Sequence, residues 1–489
     1  MTATPKLLAT TLALAMTSPS LLAQNTTPTE IDSRERESVA VTIYNDSLAL
    51  IRETRNIPLA QGANRVALRD VSAHIMPETA SLSGKSGAAL HLIEQNFDFD
   101  LLSERALLNK YVGKKVTVIR THPASGEESR EEATVLANNE GLTLQYADRI
   151  ESGLPRDARI AFADVPANLR DRPTLLVDLH ADKAGTQNVD LAYLTSGLSW
   201  QADYVATLAR DEKSLNLAGW VTLVNQSGTR YDNAALQLVA GDVNRAPDLE
   251  YDQAVRYMED AVPLAAAPKM AQEEFFEYHL YSLDRPTTIA DNQRKQVSLL
   301  SAANIPVAKE YRLQGAQDRY YQIANNSPEL GDKRKVDVFV EFANKEESQL
   351  GMPLPKGVMR VYKNDSQDRP LFVGEDRIDH TAKNDNIRLK LGNAFDLSGI
   401  WKQKEYKVVE GKLGPMLSRD YYEARYDIEL SNAKKEDVVI KVVEPIPGNW
   451  EILEESHQHE KPSAHLAQWQ IPVSAEGKAT LSYKIRVSF

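Results

Sequence analysis

The stretch LSWQADYVATL, residues 198–208, shows the clearest strand pattern of the chain. Apolar side chains stand at every second position: Leu198, Trp200, Ala202, Tyr204, Ala206 and Leu208. The positions between them are mostly polar: Ser199, Gln201, Asp203 and Thr207. Because successive side chains of a strand point to opposite faces, this alternation predicts a β-strand with one buried and one solvent-facing side.

The sequence that follows extends this pattern into a sandwich. SLNLAGWVTLVN (214–225) gives a second strand, and AALQLVAGDV (234–243) gives a third. The residues from Asn225 to Gly228 are typical of a tight turn, which predicts a hairpin. We therefore expect a β-sandwich over residues 171–245.

Two further β-regions are predicted before the sandwich. Alternation from Val39 onward predicts an N-terminal β-domain over residues 38–108. Apolar residues at helical spacing predict one helix from Phe99 to Tyr111, with a stop at Gly113. Short strands with Gly and Asn turns then predict a small barrel-like module over residues 109–170.

The C-terminal half repeats the β-pattern after an interruption. Residues 246–275 are rich in Ala, Pro and acidic side chains, which is typical of a linker. A β-sandwich region follows over residues 276–489, where DIELSNAKKEDVVIKVVE (427–444) predicts a hairpin with its turn at Asn432–Lys435. The sequence thus predicts a mainly β fold of several antiparallel β-domains: a small barrel-like module plus immunoglobulin-like sandwiches, with few short helices.

Residues 1–23 have the form of a secretory signal peptide. Lys6 supplies the positive charge, Leu7 to Met16 supply the apolar stretch, and Ala23 precedes the expected cleavage point. Residues 24–37 are polar, and we expect a flexible tether there. Cleavage near Ala23 would place the protein in the periplasm or outside the cell. No later segment reaches the roughly 20 apolar residues that a membrane-spanning helix needs.

The composition limits the possible partners. The 489 residues carry a formal net charge of −12 and include no cysteine. We expect no nucleic acid partner, because phosphate binding needs concentrated Lys and Arg. Without cysteine there are no disulfides, so hydrophobic cores must stabilise the domains, and a chain of this length can form several.

His457 and His459 lie where potential metal ligands are most concentrated, in EESHQHE (454–460). On a strand the two imidazoles would point the same way, as a two-histidine metal site requires. A zinc site needs a third or fourth ligand, which would be Glu455 or a distant residue. The alternative is a solvated polar loop before Pro462. We predict no cofactor, and this pair is the one metal candidate.

Acidic pairs offer an enzymatic alternative. Carboxylates are grouped at Asp98 and Asp100, at Glu127 and Glu128, and at Glu131 and Glu132. Two carboxylates at a suitable separation can hydrolyse a glycoside, whereas a solvated acidic surface explains the same residues. The sequence contains no catalytic motif that decides between these interpretations.

Aromatic residues offer a binding interpretation. The tryptophans are Trp200, Trp220, Trp401, Trp450 and Trp469. Such rings serve glycan or peptide sites as well as cores. Trp200 lies on the predicted inner face, which favours the core, whereas Trp220 has the opposite parity to Leu217 and Val221.

The last strand allows a different architecture. Apolar residues alternate up to a terminal aromatic residue: Leu481, Tyr483, Ile485, Val487 and Phe489. Outer-membrane β-barrel proteins often end in this way, with lipid-facing apolar rows on many strands. An ordinary final sandwich strand explains the same residues.

Two runs of sequence carry a family resemblance: YLTSGLSW (193–200) and PLPKG (353–357). With GNAFDL (392–397), they resemble bacterial exported proteins of unknown function that have a mucoidy inhibitor A-like C-terminal domain. The similarity runs from about Val39 to the C-terminus. It implies a β-rich extracytoplasmic protein and supplies no activity, cofactor or catalytic residue. Longer relatives have an N-terminal coiled coil, where this chain has only the predicted helix at 99–111.

These observations favour an exported, non-enzymatic protein that binds or scaffolds cell-envelope components. The expected partner is an envelope protein or glycan, and the oligomeric state stays open. The alternatives are an exported enzyme acting on glycans or peptides, a metal-dependent binding protein using His457 and His459, and an outer-membrane β-barrel.

Overall fold

The computed structural model of the 489-residue chain is mainly β, as the sequence predicts. It describes residues 27–45, 47–85, 90–98, 100–139, 141–166, 169–241, 243–244, 270–320, 332–409 and 421–488. The predicted signal peptide, residues 24–26 of the predicted tether and residues 246–269 of the predicted linker lie outside these ranges.

The strands of the N-terminal part are β1 (Thr29–Ile31), β2 (Arg36–Ile43), β3 (Leu48–Leu59), β4 (Gly62–Arg69), β5 (Ser81–Gly84), β6 (Leu90–Asp98), β7 (Lys115–Thr121), β8 (Glu128–Ala137), β9 (Thr143–Gln145), β10 (Ile150–Ser152), β11 (Ala158–Ala161) and β12 (Thr174–Ala181). The strands of the middle part are β13 (Gly185–Ser196), β14 (Leu198–Leu208), β15 (Ser214–Asn225), β16 (Tyr231–Ala240), β17 (Ala271–Phe275), β18 (Tyr278–Ser282), β19 (Thr287–Ile289), β20 (Gln293–Pro306) and β21 (Ala308–Gln314).

The strands of the C-terminal part are β22 (Asp332–Ala343), β23 (Gly357–Asn364), β24 (Pro370–Ile378), β25 (Asn386–Val409), β26 (Tyr421–Asn432), β27 (Val438–Pro445), β28 (Asn449–Glu455), β29 (Glu460–Ser463), β30 (Leu466–Val473) and β31 (Lys478–Ser488). The described residues contain one α-helix, α1 (Glu104–Lys110). Short 3₁₀ helices span Ser33–Glu35, Pro77–Thr79, Gln317–Tyr320 and Glu346–Ser348. None of the described helices has the length and hydropathy needed to cross a membrane.

The chain divides into two compact units. Of the described residues, the first contains those within 27–35, 56–71 and 83–189. It holds a four-stranded sheet, β1-β4-β12-β6, and a five-stranded sheet, β10-β9-β8-β7-β11. The second of these sheets lies where the small barrel-like module is predicted. Its end strands, β10 and β11, do not pair with each other, so the sheet stays open. Its core includes Val118, Val135 and Leu144, together with Leu108 from α1.

Helix α1 confirms the helix predicted from periodicity, over a shorter range. Ser103 is its N-cap, and the Ser103 hydroxyl accepts a hydrogen bond from the Ala106 N–H at 3.1 Å. Such a cap satisfies one of the N–H groups that a helix leaves without an internal partner. Gly113 follows the helix with φ +81°, a backbone conformation that favours glycine.

The second unit contains the described residues within 36–55, 72–82 and 190–488. Three sheets form it: β17-β18-β16-β2-β3-β13-β5, with β19 beside β16; β20-β15-β14-β23-β24; and β28-β31-β26-β25-β22-β21-β27-β30-β29. The predicted strand at 198–208 is β14, and Trp200, Ala202 and Tyr204 are buried as expected. β14 pairs antiparallel with β15 and parallel with β23, so strands from both sides of the predicted linker share one sheet.

Both predicted hairpins of this unit are wrong, although each of the four strands exists. β15 and β16 belong to different sheets, and β26 and β27 are separated by β25, β22 and β21 in the nine-stranded sheet. The chain therefore changes sheet position at Asn225 and at Asn432 instead of folding back on itself. We call residues 225–231 the Asn225 corner and residues 432–437 the Asn432 corner.

A buried asparagine stabilises each corner in the same way. Asn225 Oδ1 accepts from the Ser227 N–H at 3.0 Å, and its Nδ2 donates to the Thr229 and Ala290 carbonyls at 2.9 and 3.0 Å. Asn432 Oδ1 accepts from the Lys434 N–H at 2.9 Å, and its Nδ2 donates to the Glu436 carbonyl at 2.9 Å. Each side chain thus supplies the partners that buried backbone groups require where a strand ends.

Candidate binding face

The five-stranded sheet β20-β15-β14-β23-β24 has one buried face and one accessible face. Trp200, Ala202 and Tyr204 of β14 point to the buried face, so Gln201 and Asp203 point to the other, which we call the outer face. The strand registers place Asp203 beside Trp220 of β15 and beside Val358 of β23.

Asp203 is the centre of a hydrogen-bonded network on the outer face. The Asp203 carboxylate accepts from Thr222 Oγ1 at 2.8 Å and from the Arg360 guanidinium at 3.1 Å. Arg360 also pairs with Glu375 of β24, with 3.2 Å between its Nε and the carboxylate. Gln296 donates to Thr222 Oγ1 at 3.2 Å. The network links β20, β15, β14, β23 and β24, which fixes the polar groups of the face in place.

Three buried side chains position the run of residues that leads into β23. Tyr204 Oη donates to the Pro355 carbonyl at 2.8 Å, and Tyr281 Oη donates to the Pro353 carbonyl at 2.9 Å. Asn344 Nδ2 donates to the Met352 carbonyl at 2.8 Å. Burial raises the pKa of Tyr204 well above its usual range, so the hydroxyl stays protonated and keeps donating. The PLPKG run is therefore a rigid, backbone-anchored segment.

Gly357 brings β23 unusually close to β14. Its partner in the parallel register is Ala202, and a Cβ added at Gly357 would lie 2.1 Å from the Ala202 carbonyl oxygen. Any other residue would clash with the β14 backbone at this point. Packing therefore explains why the PLPKG run ends in glycine.

A groove opens at this end of the sheet, with a volume of about 470 Å³. Its lining residues are Gln201, Ala202, Lys356, Gly357, Val358, Arg377, Ile378 and Asp379. Ala202 and Ile378 are buried, whereas the Lys356 and Arg377 side chains are exposed. The groove therefore has an apolar and backbone floor, two cations and one carboxylate at its rim, and an amide from Gln201.

Aromatic and apolar side chains continue the face away from the groove. Trp220 is half-buried, and the rings of Tyr362 and Phe372 meet edge to face with 5.7 Å between centroids. Leu371, Phe372 and Val373 follow one another on β24 and are all exposed, Phe372 by 57 %. Trp200, Trp401, Trp450 and Trp469 are buried, so the core interpretation holds for these four.

The two candidate metal ligands take different partners. His459 Nδ1 lies 3.0 Å from a Glu455 carboxylate oxygen, which also accepts from the Trp469 indole at 2.9 Å. His457 Nδ1 lies 2.9 Å from the Ser456 hydroxyl. Within the described ranges no three His, Cys, Asp or Glu side chains form a group that could hold a metal ion. The geometry therefore brings no third ligand to His457 and His459.

Five of the six carboxylates in the acidic pairs singled out in the sequence form ion pairs with neighbouring cations. Asp98 pairs with Arg170 at 3.1 Å, and Asp100 pairs with Lys110 at 2.9 Å. On β8, Glu128 pairs with Arg159, Glu131 with Arg149 and Glu132 with Lys115, at 2.6, 2.8 and 2.9 Å. These carboxylates contribute to the charged surface of the first unit, where each one neutralises a lysine or an arginine.

Sequence reasoning missed Lys356, Arg360, Glu375 and Arg377. Only the polar alternation of Gln201 and Asp203 pointed to this face, because both stand on the predicted solvent side of β14. The cations come from β23 and β24, and their place beside β14 depends on the parallel pairing of Ala202 with Gly357. No local pattern specifies that pairing.

The outer face and the groove lie within a single matched family domain. No curated protein matches the chain. A family model described as "Domain of unknown function (DUF4139)" matches residues 189–489, a range that includes β14, the PLPKG run and both asparagine corners. The match covers more than half of the chain, and the protein therefore belongs to the DUF4139 family.

Proposed function

We propose that this protein is an exported, non-enzymatic β-protein that binds or scaffolds cell-envelope components. The signal-peptide pattern of residues 1–23 supports export to the periplasm or beyond. The resemblance of YLTSGLSW and PLPKG to mucoidy inhibitor A-like proteins supports an extracytoplasmic role. The binding surface in this proposal is the outer face with its groove.

One observation carries the proposal: the groove at Lys356 and Arg377 is built on rigid, hydrogen-bonded elements. Tyr204, Tyr281 and Asn344 hold the backbone beneath Lys356, while the Asp203–Arg360–Glu375 network holds the neighbouring strands. Preorganised polar groups around an apolar floor are typical of binding sites, because little order has to be created when the ligand arrives.

Photo-crosslinking in the native cells tests the proposal. A photoreactive amino acid placed at Gln201 samples the groove, and the same substitution at Gln470 is the matched control, because Gln470 is an exposed residue of β30 in the nine-stranded sheet. We expect the Gln201 protein to form an adduct with a defined envelope protein or glycan that the Gln470 protein does not form. Equal adducts at both positions, or none at Gln201, would overturn the proposal.

Export has its own test. The mass of the protein recovered from the native cells gives its mature N-terminus. Cleavage after Ala23 predicts a chain that begins at Gln24 and fractionates outside the cytoplasm. A chain that keeps residues 1–23 and remains in the cytoplasmic fraction would contradict an envelope role.

A further inference from the structure

β24 is the last strand of its sheet, and it exposes apolar side chains. The sheet order ends β14-β23-β24. Leu371 and Phe372 are exposed by 56 and 57 %, and Val373 by 39 %. Edge strands normally avoid exposed apolar residues, since they invite pairing with another chain, and peptide-binding domains use this property. The edge of β24 is thus suited to accept an added strand.

On the face of β24 that lies opposite the outer face, β25 already covers Gly374 and Asp376. Asp376 accepts a hydrogen bond from the Lys390 backbone N–H of β25 at 2.7 Å, and a Cβ at Gly374 would lie 2.4 Å from the Leu391 carbonyl oxygen. Val361 and Met359, which pair with Gly374 and Asp376, are fully buried. What remains accessible is the outer edge of β24, the outer face, where Phe372 meets Tyr362, and the exposed Leu371 at the start of the strand.

The charges at the other end of β24 indicate what an added strand would carry. Arg360 is neutralised by Asp203 and Glu375. The Arg377 guanidinium, in contrast, forms no hydrogen bond or ion pair within the described part of the chain. Lys356 lines the same groove, and Asp379 is the one carboxylate among its lining residues. The groove therefore complements a carboxylate, and a guanidinium can bind one with two parallel hydrogen bonds.

The spacing of the two features defines a ligand. Phe372 and Arg377 lie beside Tyr362 and Val358 of β23, which are four residues apart, or about 13 Å at the rise of a β-strand, because β24 has a bulge between Phe372 and Gly374. A regular peptide strand on this edge would contact Phe372 with an apolar residue and Arg377 with an acidic residue about four positions away, since both then lie on the same face.

We propose that the edge of β24 and the adjoining groove bind an extended, acidic peptide segment of a partner protein by strand addition. This inference rests on the proposed binding function and names its ligand class. Backbone pairing with β24 supplies the register, Leu371 and Phe372 receive apolar side chains, and Lys356 with Arg377 receives a carboxylate.

Selection from a random twelve-residue peptide library displayed on phage tests the proposal. The purified wild-type protein is expected to enrich peptides with Asp or Glu about four positions from an apolar residue. The selected peptide, labelled and measured by fluorescence anisotropy, should bind Arg377→Gln at least about tenfold more weakly, as expected for loss of a charge-assisted hydrogen bond. The double variant Leu371→Ser/Phe372→Ser should weaken binding as well.

Arg130→Gln is the matched control, because it removes the same charge from an exposed position on β8 in the first unit. It should leave the affinity within about twofold of wild type. Enriched peptides without an acidic residue, equal binding to wild type and Arg377→Gln, or no enrichment would overturn the inference. If the Gln201 crosslink forms under those results, the proposed function stands with another ligand class. If peptides bind as predicted and the crosslink is absent, the envelope role fails.

Discussion

Glu53 of β3 and Asp203 of β14 are both carboxylates on central strands that face arginine, yet their surroundings differ. Glu53 is 3 % exposed and lies 2.6 Å from Arg36 and 2.6 Å from Arg55, whose side chain is 1 % exposed. Asp203 is 5 % exposed, but its partner Arg360 continues to Glu375, a residue at the surface. The Glu53 cluster is closed, which means that its ion pairs stay in the interior. The Asp203 cluster extends through Arg360 to the surface near the groove.

The difference separates polar groups that stabilise the fold from polar groups that prepare a surface. Tyr193 and Tyr231 lie near Glu53, and burial raises the pKa of each hydroxyl above its usual range. The ion pairs of Glu53 with Arg36 and Arg55 lie inside the unit. Around Asp203, Arg360 is neutralised by Asp203 and Glu375. The Arg377 guanidinium has no hydrogen bond or ion pair within the described residues, so it can bind a ligand. Substitutions in the two clusters should therefore change the free energy of unfolding by different amounts.

Glu53→Gln should cause the largest loss of stability. The substitution leaves two buried guanidinium groups without their carboxylate, and breaking a buried ion pair in this way typically costs about 3–5 kcal/mol. Urea denaturation followed by circular dichroism measures the change. A loss of less than about 1 kcal/mol would show that the closed cluster is not structural.

Asn225→Ala and Asn432→Ala should each destabilise the protein by about 2 kcal/mol. Both variants leave buried and partly buried backbone carbonyls without a donor at a corner between strands. The control is Asn449→Ala, because Asn449 is exposed on β28 and its side chain forms no hydrogen bond with the described residues. Equal, small changes in all three variants would contradict the role given to the corners.

Asp203→Asn should cost less stability than Glu53→Gln, about 1–2 kcal/mol. The amide oxygen of the substituted side chain still accepts from Thr222, and Arg360 keeps Glu375 as a partner. The same variant should weaken binding at the groove, because Arg360 then holds β14 and β24 less firmly. If stability falls as far as in Glu53→Gln, the two clusters do not differ in the way described.

Glu212 should make the free energy of unfolding depend on pH, and Glu212→Gln should remove that dependence. Burial alone would raise the pKa of Glu212, but hydrogen bonds from Lys309 and Lys363 outweigh it and lower the pKa from 4.5 to about 2. The stabilisation of the folded protein by the Glu212 ion pairs is fully present above the unfolded-state pKa, near 4.5, and is lost as the pH falls toward 2.

The measurement is the free energy of unfolding of both proteins from about pH 6 to about pH 3. The difference between wild type and Glu212→Gln should shrink as the pH falls. Glu346→Gln is the control, since its carboxylate pairs with Lys383 at an exposed position. A difference that stays constant over this range would contradict the assigned ion pair.

Much of the local structure could be predicted from the sequence. Alternation located β14 and placed Trp200 in the core, and apolar spacing located α1. The turn residues at Asn225 and Asn432 marked real ends of strands. They did not reveal the next partner strand, because an asparagine that stabilises a corner and one that stabilises a hairpin look alike in sequence.

The groove could not be predicted, since long-range pairing creates it. Lys356 and Arg377 approach Gln201 only because β23 lies parallel to β14 and β24 antiparallel to β23. Gly357 permits that close approach, but a glycine before a strand has many local explanations. His457 and His459 show the converse case, in which a suggestive sequence pair takes separate partners in the fold.

Arg377 is expected to serve a ligand and not the fold. The most direct measurement compares the yield of the Gln201 photo-adduct in native cells among the wild-type, Arg377→Gln and Arg130→Gln backgrounds, with the free energy of unfolding measured for each. We predict that Arg377→Gln loses most of the adduct while its stability stays within about 0.5 kcal/mol of wild type, and that Arg130→Gln retains both. An undiminished adduct in Arg377→Gln, or a loss that follows a fall in stability, would contradict the account.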